Sequence, residues 1–483
     1  MTEKKINQHI SNKDRLKSYI IGGGEAAEIF IRNPISSQYR ILGIFDDDPK
    51  LQGNSIQGIP VLGAINKLNH FIQNNYVKNI IYLIPSIQIE KYIDLFQDIQ
   101  NEYPEIEWLS SPPLNDISLG LKSLFELTNL NLIPVNQTSS YLHISEDQKQ
   151  KALGKVTFIT GGAGSIGSKV VEQLFLYNIF TTLVVIDTSE LNAYKLSQAF
   201  PLQVAQKKLI IHLTDYGDVD EINSLLVKYQ PAFIYHAGAY KHVNLLENDN
   251  VLSAIKNNVV KSINLFRAIL EHSFVKTFIL VSSDKAVNPL SVMGYTKRLV
   301  EISLLSLSKK SQLDMIIVRF GNVIGSSGSV FHKFLKQIQG RQKITLTDIN
   351  VTRYFMNISQ AASLIIKASL IGERNRVYVL KMGEAVKIYD FLIEMIKKYG
   401  ELEQKDSIII TGLKSGEKLT EELHYHHENI KPLDSDIFVS DFLISEIDIN
   451  KLLKKFSKLS VTHDEKLLKS WLQKSISDYG DEK

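Results

Sequence analysis

Thr160-Gly-Gly-Ala-Gly-Ser-Ile-Gly167 is the stretch that decides the fold of most of this 483-residue chain. It follows the apolar run Val156–Thr160 and opens a segment with helical apolar spacing, so it reads as a strand, a glycine turn and a helix. In such a turn Gly161 permits the tight bend, Gly164 lets the backbone approach a pyrophosphate, and Gly167 brings the helix against the strand. The amides of Ser165 and Ile166, at the start of the helix, then face the phosphates. Asp187 stands twenty residues beyond Gly167 at the end of the next apolar run, where a carboxylate accepts the hydroxyls of an adenosine ribose. That placement favours NAD over NADP. Asp215, after the third run, is placed to reach the adenine edge.

Outward from this turn, short apolar runs recur at Val156–Thr160, Leu183–Ile186, Leu209–His212, Phe233–His236, Phe278–Ser282 and Met315–Phe320, separated by segments of helical length. The alternation predicts an α/β fold with a doubly wound parallel sheet. Beyond Gly321 it loosens, with loops at Gly325–Gly328, Gly340, Thr352–Tyr354 and Thr411–Lys418, so a smaller substrate-binding subdomain is expected mainly from residue 321 onward. Ile447–Trp471, rich in Lys and Leu at helical spacing, is expected to cap the domain.

A second strand, glycine turn and helix lies at Ser18-Tyr-Ile-Ile-Gly-Gly-Gly-Glu-Ala-Ala27, with Gly22, Gly24 and Ala27 at dinucleotide-turn spacing. A strand ending in Asp46-Asp47-Asp48-Pro49 and a third apolar run, Asn79–Pro85, follow it. The chain is therefore expected to hold two Rossmann-like domains. The first spans residues 1–115, a Pro-rich and polar connector spans 116–150, and the NAD-binding catalytic domain spans 151–483. Asp46–Asp48 suit a solvated turn as well as a ribose site, which leaves ligand binding by the first domain open.

Composition removes several classes of function. With 55 Lys+Arg against 52 Asp+Glu the net charge is +3, so no broad basic field recruits nucleic acid or anionic lipid. The chain has no cysteine, which rules out disulfides, thiolate chemistry and Cys-based zinc sites. No His, Asp or Glu arrangement has metal-ligand spacing, so no metal is expected. Met1-Thr-Glu-Lys-Lys-Ile6 lacks the apolar core of a signal peptide, and no run approaches the ~18 apolar residues of a membrane helix. The expectation is a cytoplasmic protein without an integral membrane segment.

Two further segments carry chemistry. In Tyr235-His-Ala-Gly-Ala-Tyr-Lys-His242, small Ala237, Gly238 and Ala239 let a dinucleotide pass close to the backbone, while Lys241 and His242 are positioned to face a substrate beyond the strand ends. A satisfied structural histidine is the plainer reading of His242. In Val281-Ser-Ser-Asp-Lys285, an apolar strand delivers Ser283, Asp284 and Lys285 to the sheet edge. An elimination needs such a pair, an acid that protonates the departing hydroxyl and a base that takes the neighbouring carbon's proton.

Taken in order, Gly161–Gly167, His236-Ala-Gly-Ala-Tyr-Lys-His-Val243, Ser283-Asp-Lys-Ala-Val-Asn-Pro289, Val292-Met-Gly-Tyr-Thr-Lys-Arg298, Val318-Arg-Phe-Gly-Asn-Val-Ile-Gly-Ser-Ser-Gly-Ser-Val330, Val351-Thr-Arg-Tyr-Phe-Met356 and Thr411-Gly-Leu-Lys-Ser-Gly-Glu-Lys-Leu419 resemble the extended short-chain dehydrogenase/reductases. Within them the chain looks like the polysaccharide-biosynthesis UDP-N-acetylglucosamine 4,6-dehydratases of the large, configuration-retaining type. The similarity runs from about Lys155 to about Tyr425, and the N-terminal domain resembles the one that precedes catalysis in long members.

The resemblance implies that Lys297 anchors the nicotinamide ribose. It also implies that Lys285 removes the carbon 5 proton as a partly neutral amine, and that Asp284 protonates the carbon 6 hydroxyl. Asn322, Arg353, Lys414 and Glu417 match positions that hold the nucleotide-sugar, and Arg353 is expected to fork onto the pyrophosphate. Met293 stands where the wider superfamily has a Tyr four residues before the Lys, leaving the carbon 4 hydroxyl without an assigned base; Ser283 and a bound water are candidates. Lys414 and Ser415 depart from the Arg and Pro common in the family. A homo-oligomer, dimer or larger, is implied through the helices near Asn257 and Met293. A 4-epimerase and a silent NAD-binding scaffold are the competing readings.

Overall fold

The computed structural model describes residues 16–32, 39–75, 77–83, 106–110, 145–177, 179–324, 330–399, 407–441 and 446–479, with a few single positions between 92 and 103 and Lys405. The chain divides into two compact units, Met1–Asn131 and Leu132–Lys483. Most of the expected connector, and the loop at 325–329, lie outside the described residues. At the connector's end a short helix, Glu146–Gln150, begins with a capping box between Ser145 and Gln148.

The first unit holds β1 (Leu16–Ile21), β2 (Tyr39–Phe45), β3 (Ser55–Ile56), β4 (Ile59–Gly63), β5 (Asn79–Tyr82) and β6 (Glu107–Ser110), in the order β3-β4-β2-β1-β5-β6. All neighbours are parallel except the β3–β4 hairpin. With β1 between β2 and β5, the topology reverses at the first glycine turn, as expected of a Rossmann-like sheet. Gly22 takes a φ of 96°, and Asp46 accepts a hydrogen bond from the Gly23 amide at 2.5 Å and one from Asp48 at 2.8 Å. Asp47 is taken up by the Ile65 amide at 3.0 Å and the Tyr92 hydroxyl. These acids bind their own turn.

The second unit is built on β7 (Lys155–Thr160), β8 (Phe180–Asp187), β9 (Leu209–Leu213), β10 (Phe233–His236), β11 (Thr277–Val281) and β12 (Asp314–Arg319). These run in the order β9-β8-β7-β10-β11-β12, all parallel, with β7 and β10 flanking the point of reversal. β10 and β11 are buried throughout, because helices cover both sheet faces and no side of the strand meets water. Helices Ser165–Tyr177 and Ile358–Ile371 pack together on one face. Helices Val219–Tyr229, Ser262–Leu270 and Val292–Ser308 contribute to the apolar core on the other.

Two expectations need correction. The region beyond Gly321 is not confined to a subdomain of its own, since three of its strands extend the large parallel sheet. In chain order these later strands are β13 (Asn322–Ile324), β14 (Ile344–Leu346), β15 (Thr352–Arg353), β16 (Phe355–Asn357), β17 (Arg376–Leu380), β18 (Val386–Lys387), β19 (Ile408–Ile410), β20 (Ile430–Pro432) and β21 (Ile437–Ser440). β17 adds parallel to β12, and β21 and β20 follow antiparallel, while β13–β16, β14–β19 and β15–β18 form three small ladders. β17 follows helix Ile358–Ile371 and so continues the strand–helix alternation, whereas β20 and β21 form an antiparallel hairpin that this alternation does not predict.

The second correction concerns the helix that carries Met293. The stretch expected to cap the domain, Ile447–Trp471, falls in two helices, Ile449–Ser460 and Glu465–Tyr479. Leu452, Phe456, Leu468, Trp471, Leu472 and Ile476 join the same core as Met293, Leu299 and Val300. Glu465 accepts a hydrogen bond from the Val251 amide at 2.7 Å, and Gln473 donates to the Tyr295 hydroxyl at 3.0 Å. Fifteen of the seventeen residues of Val292–Ser308 are thereby buried within the chain, so the surface assigned to a partner at Met293 is already covered. Trp471→Ala is expected to cost the second unit about 3–5 kcal/mol through the cavity it leaves. Denaturant unfolding measures this, and a loss below about 1 kcal/mol would contradict that packing.

Candidate active site

The carboxyl ends of β7, β10, β11 and β12 converge on one site. Gly161, at φ 65°, lies so close to the β10 end that an added Cβ would stand 2.6 Å from the Gly238 Cα, and one at Gly167 would stand 2.2 Å from the Gly161 carbonyl oxygen. At Gly164 the nearest atom is the turn's own Gly161 oxygen at 3.1 Å, leaving the outer side open. Ser165 and Ile166 begin the helix beside this opening, with Ala237 across from it. Asp187 accepts from the Ala163 amide at 3.0 Å and the Ser189 amide at 2.9 Å, so it braces the turn with one lone pair of each oxygen. Asp215 pairs with Lys261 and accepts from Gly217 at 2.8 Å. A close-approach turn, an acid at the second strand and a small-residue passage fit a dinucleotide such as NAD.

Lys297 reaches back from helix Val292–Ser308 and donates to the Val281 carbonyl at 2.9 Å. Burial pushes its amine down to about 8, with Glu301 opposing. The helix starts where it does because Ser291 caps it, accepting from Gly294 at 3.0 Å, and because buried Glu247 accepts from the Val292 amide at 2.5 Å. Glu247 also takes Lys469 at 2.7 Å, so one carboxylate joins this helix to the C-terminal one. Asn258, in the π-helical turn Ile255–Lys261, bonds the Tyr240 amide at 2.8 Å and the Tyr240 carbonyl at 3.0 Å, and donates to Thr296 at 3.0 Å. It stitches the 237–242 loop to the Lys297 helix. Met293 is buried among apolar side chains, and Tyr295 points into the C-terminal packing, as their helical positions imply.

At the end of β11 the chain turns through Asp284–Ala286. The Ser283 hydroxyl donates to Asp284 Oδ1 at 2.8 Å, and Lys285 Nζ donates to the same oxygen at 3.0 Å. Asp284 is fully buried, and its Oδ2 has no hydrogen-bond partner. Lys285 Nζ also reaches Asn322 Oδ1 at 3.3 Å and Glu421 Oε1 at 3.4 Å. Burial alone would lower the Lys285 pKa, but Asp284 and Glu421 outweigh it and raise the amine above its ordinary value. Without a bound cofactor, the two carboxylates favour the charged form of Lys285.

Arg353 and Glu417 have partners within the chain. The guanidinium donates to the carbonyls of Thr352 at 2.7 Å and Leu419 at 3.2 Å, and to Glu417 at 3.3 Å. Glu417 further accepts from Thr347 at 3.1 Å and from the Lys414 amide at 3.3 Å. Both residues shape the 414–421 segment instead of presenting a free fork to phosphate. Asn322 holds Lys285, while Lys241, His242 and Lys414 remain exposed.

Glu421 and the charges behind the turn escaped the sequence reading. Arg319 donates to Glu301 at 2.9 and 2.7 Å and to Glu428 at 3.0 and 3.1 Å, all three fully or almost fully buried. Burial would raise the Glu301 pKa, but Arg319, Arg298 and Ser282 bring it below the usual carboxylate range. The only signal was charged residues inside apolar segments, Glu301 in a helix and Arg319 at a strand end, which in one dimension resemble surface positions. Among the described residues no group of His, Cys, Asp or Glu has the arrangement of a metal site, and no helix is long and apolar enough to cross a membrane.

Two predictions follow from this geometry. A Cβ at Gly294 would stand 2.3 Å from the Lys285 carbonyl oxygen, so Gly294→Ala must push the Lys297 helix off the Lys285 turn. A stability loss of about 1–3 kcal/mol is expected, measured by denaturant unfolding. Lys297 has a folded pKa of about 8, below its unfolded value. Between about pH 8 and about pH 10 the unfolded chain therefore binds the extra proton, and stability gains up to about 1.4 kcal/mol per pH unit from this group. Lys297→Met should flatten that part of the stability–pH curve; an unchanged slope would contradict the burial of the amine.

The comparisons with known proteins agree with this architecture. Residues 157–441 match the family model described as polysaccharide biosynthesis protein, and residues 3–109 match a CoA-binding domain model. The chain is 32% identical to the probable polysaccharide biosynthesis protein EpsC of Bacillus subtilis (strain 168), over 88% of this chain and 72% of that one. It is 30% identical to the capsular polysaccharide biosynthesis protein CapD of Staphylococcus aureus, over 94% of this chain and 76% of that one. The X-ray structure of Pen from Bacillus thuringiensis is similar, with 30% identity and a TM-score of 0.54 over 60% of this chain and 88% of that one. With a family match that spans the whole second-unit sheet and its site, the chain belongs to the polysaccharide biosynthesis protein family.

Proposed function

We propose that the chain is a nucleotide-sugar 4,6-dehydratase that uses NAD and acts on UDP-N-acetylglucosamine, for the synthesis of a cell-surface polysaccharide. The observation that carries this reading is the Asp284–Lys285 pair, a buried acid and an amine 3.0 Å apart at the end of β11, with one oxygen of the acid unpartnered. An oxidation or epimerisation at carbon 4 has no use for such a pair, whereas loss of water across carbons 5 and 6 requires one. The names of EpsC and CapD support the polysaccharide context.

NAD, when bound, supplies the reversible oxidation, taking a hydride from sugar carbon 4 and giving it back at carbon 6. The chain moves every proton. Gly161, Gly164 and Gly167 cradle the pyrophosphate, Asp187 meets the ribose, and Lys297 orients the nicotinamide end. The Lys285–Asp284 ion pair lies one proton shift from a neutral amine beside a carboxylic acid, so the raised pKa of Lys285 describes the resting form and not the reacting one. Lys285 Nζ takes the carbon 5 proton, made acidic by the carbon 4 ketone, while Asp284 protonates the carbon 6 hydroxyl, which leaves as water. Lys285 then returns a proton to carbon 5. At the end Asp284 is one proton short, and the carbon 4 hydroxyl has shed one. Exposed Lys241, His242 and Lys414 are the groups left to meet the nucleotide-sugar.

The test is to incubate purified protein with UDP-N-acetylglucosamine in normal and deuterated water and follow the product by mass spectrometry. A product lighter by one water with solvent deuterium at carbon 5 is expected, and Lys285→Ala should slow its formation on the order of 10²–10⁴-fold. An unchanged mass with the 4-epimer formed would replace this reading by an epimerase. No reaction with UDP- or GDP-sugars and added NAD would leave a binding scaffold.

A further inference from the structure

We infer that Glu421 is the third member of the acid–base group: it takes up the proton shed at sugar carbon 4 and returns it through Lys285 Nζ to Asp284. The inference rests on the dehydratase reading, which leaves one proton in excess at carbon 4 and one missing at Asp284. Met293, where a hydroxyl would otherwise do this work, has no exchangeable proton and lies in the apolar core.

Both carboxylates reach the amine, Asp284 through a hydrogen bond and Glu421 as an ion pair. Asp284 Oδ1 lies 3.0 Å from Lys285 Nζ and Glu421 Oε1 lies 3.4 Å from it. Asp284 Oδ2 and Glu421 Oε2 are both buried and both without a hydrogen-bond partner. Leaving a buried acceptor bare costs about 1–3 kcal/mol, so two such oxygens beside one lysine mark places where a donor arrives from outside the fold. At Asp284 the arriving group is the carbon 6 hydroxyl, which takes its proton; Glu421 is then the acceptor for the second hydroxyl, whose proton must leave. An ammonium has three hydrogens and can bridge both acids at once, which makes Nζ a two-way conduit.

Glu421 is held for this. Leu419 accepts from the Thr352 amide at 2.9 Å, Lys418 donates to the Val287 carbonyl at 2.7 Å, and Asn288 donates to Glu422 at 2.8 Å. The Tyr425 hydroxyl donates to the Ala286 carbonyl at 3.2 Å, so the segment is fastened to the catalytic turn on both sides of Glu421. The charged groups facing Lys285 are Asp284, Glu421 and Arg353. Arg353 stands 4.0 Å from Glu421 Oε1 and carries Glu417 on its other nitrogen.

The proton balance closes. The carbon 4 O–H bond breaks toward Glu421 Oε2 as the hydride leaves carbon 4. Once Asp284 has given its proton to the departing water, Lys285 passes one proton to Asp284 Oδ1 and receives one from Glu421, each carboxyl group rotating to carry its proton between the oxygen that faces Nζ and the one left open to substrate. The three groups return to their starting charge.

The test uses Glu421→Gln, Glu421→Asp and Asp284→Asn in the full chain. On mixing with UDP-N-acetylglucosamine, Asp284→Asn should accumulate reduced cofactor, because oxidation proceeds and elimination does not. Glu421→Gln should form reduced cofactor slower on the order of 10²–10⁴-fold, with Glu421→Asp partly restoring the rate. In the protein without substrate, competitive amine labelling across pH should find Lys285 deprotonating at lower pH in Glu421→Gln than in the native chain. Native-rate formation of reduced cofactor by Glu421→Gln, or an unmoved Lys285 titration, would overturn the inference. If the native protein releases no water, the dehydratase reading fails by itself, and the titration still reports on the Glu421–Lys285 contact.

Discussion

The double fork of Arg319 holds the site together. From the end of β12 its guanidinium spans Glu301, on the helix that carries Lys297, and Glu428, on the segment that carries Glu421. Ser282, immediately before the catalytic turn, donates to the same Glu301 at 2.6 Å. The elements that carry Ser282, Glu301, Arg319 and Glu428 therefore meet on one buried group, whose charges balance once Arg298 is counted. Removing one partner from such a network leaves an uncompensated charge and costs about 3–5 kcal/mol, so the arrangement is rigid in a way that apolar packing is not. Arg298 reinforces it, stacking 4.5 Å from the centre of the Tyr425 ring while contacting Glu301.

On that frame the Asp284–Ala286 turn can keep its charges close together. Lys285 lies between two acids because the sheet end supplies Asp284 and the stapled 417–428 segment supplies Glu421. Neither acid alone determines the amine's state; burial pulls one way and the carboxylates the other. Lys297 has only the distant help of Glu301 against burial, and its pKa falls. Two lysines twelve residues apart thus receive opposite shifts at the same strand end.

The two units answer one backbone problem in the same way. In each, an acid at the end of the second strand accepts a hydrogen bond from the glycine turn, Asp46 from Gly23 and Asp187 from Ala163. The second unit adds Ser283, Asp284, Lys285 and Lys297 at the neighbouring strand ends, where a doubly wound sheet leaves room for a ligand. In the first unit Asp46 braces the turn itself, and Asp47 is taken by Ile65 and Tyr92 from other segments. A shared turn geometry does not by itself carry shared chemistry.

The sequence by itself determined the parallel core, the glycine turn with Asp187, the strand-end position of Asp284 and Lys285, and Met293 in place of a hydroxyl. All of these are local: apolar period, turn stereochemistry and spacing along one element are written within a few residues of each other. Only the tertiary structure decided the rest. That Lys285 keeps its proton, that Arg353 and Glu417 clamp a segment, and that Glu421 enters the site all depend on contacts across 64 to 136 residues of chain. The C-terminal helices cover Val292–Ser308 for the same reason, since an amphipathic pattern says that a face is buried but not against what. Electrostatics is set by which charges meet after folding, and sequence spacing does not encode that meeting.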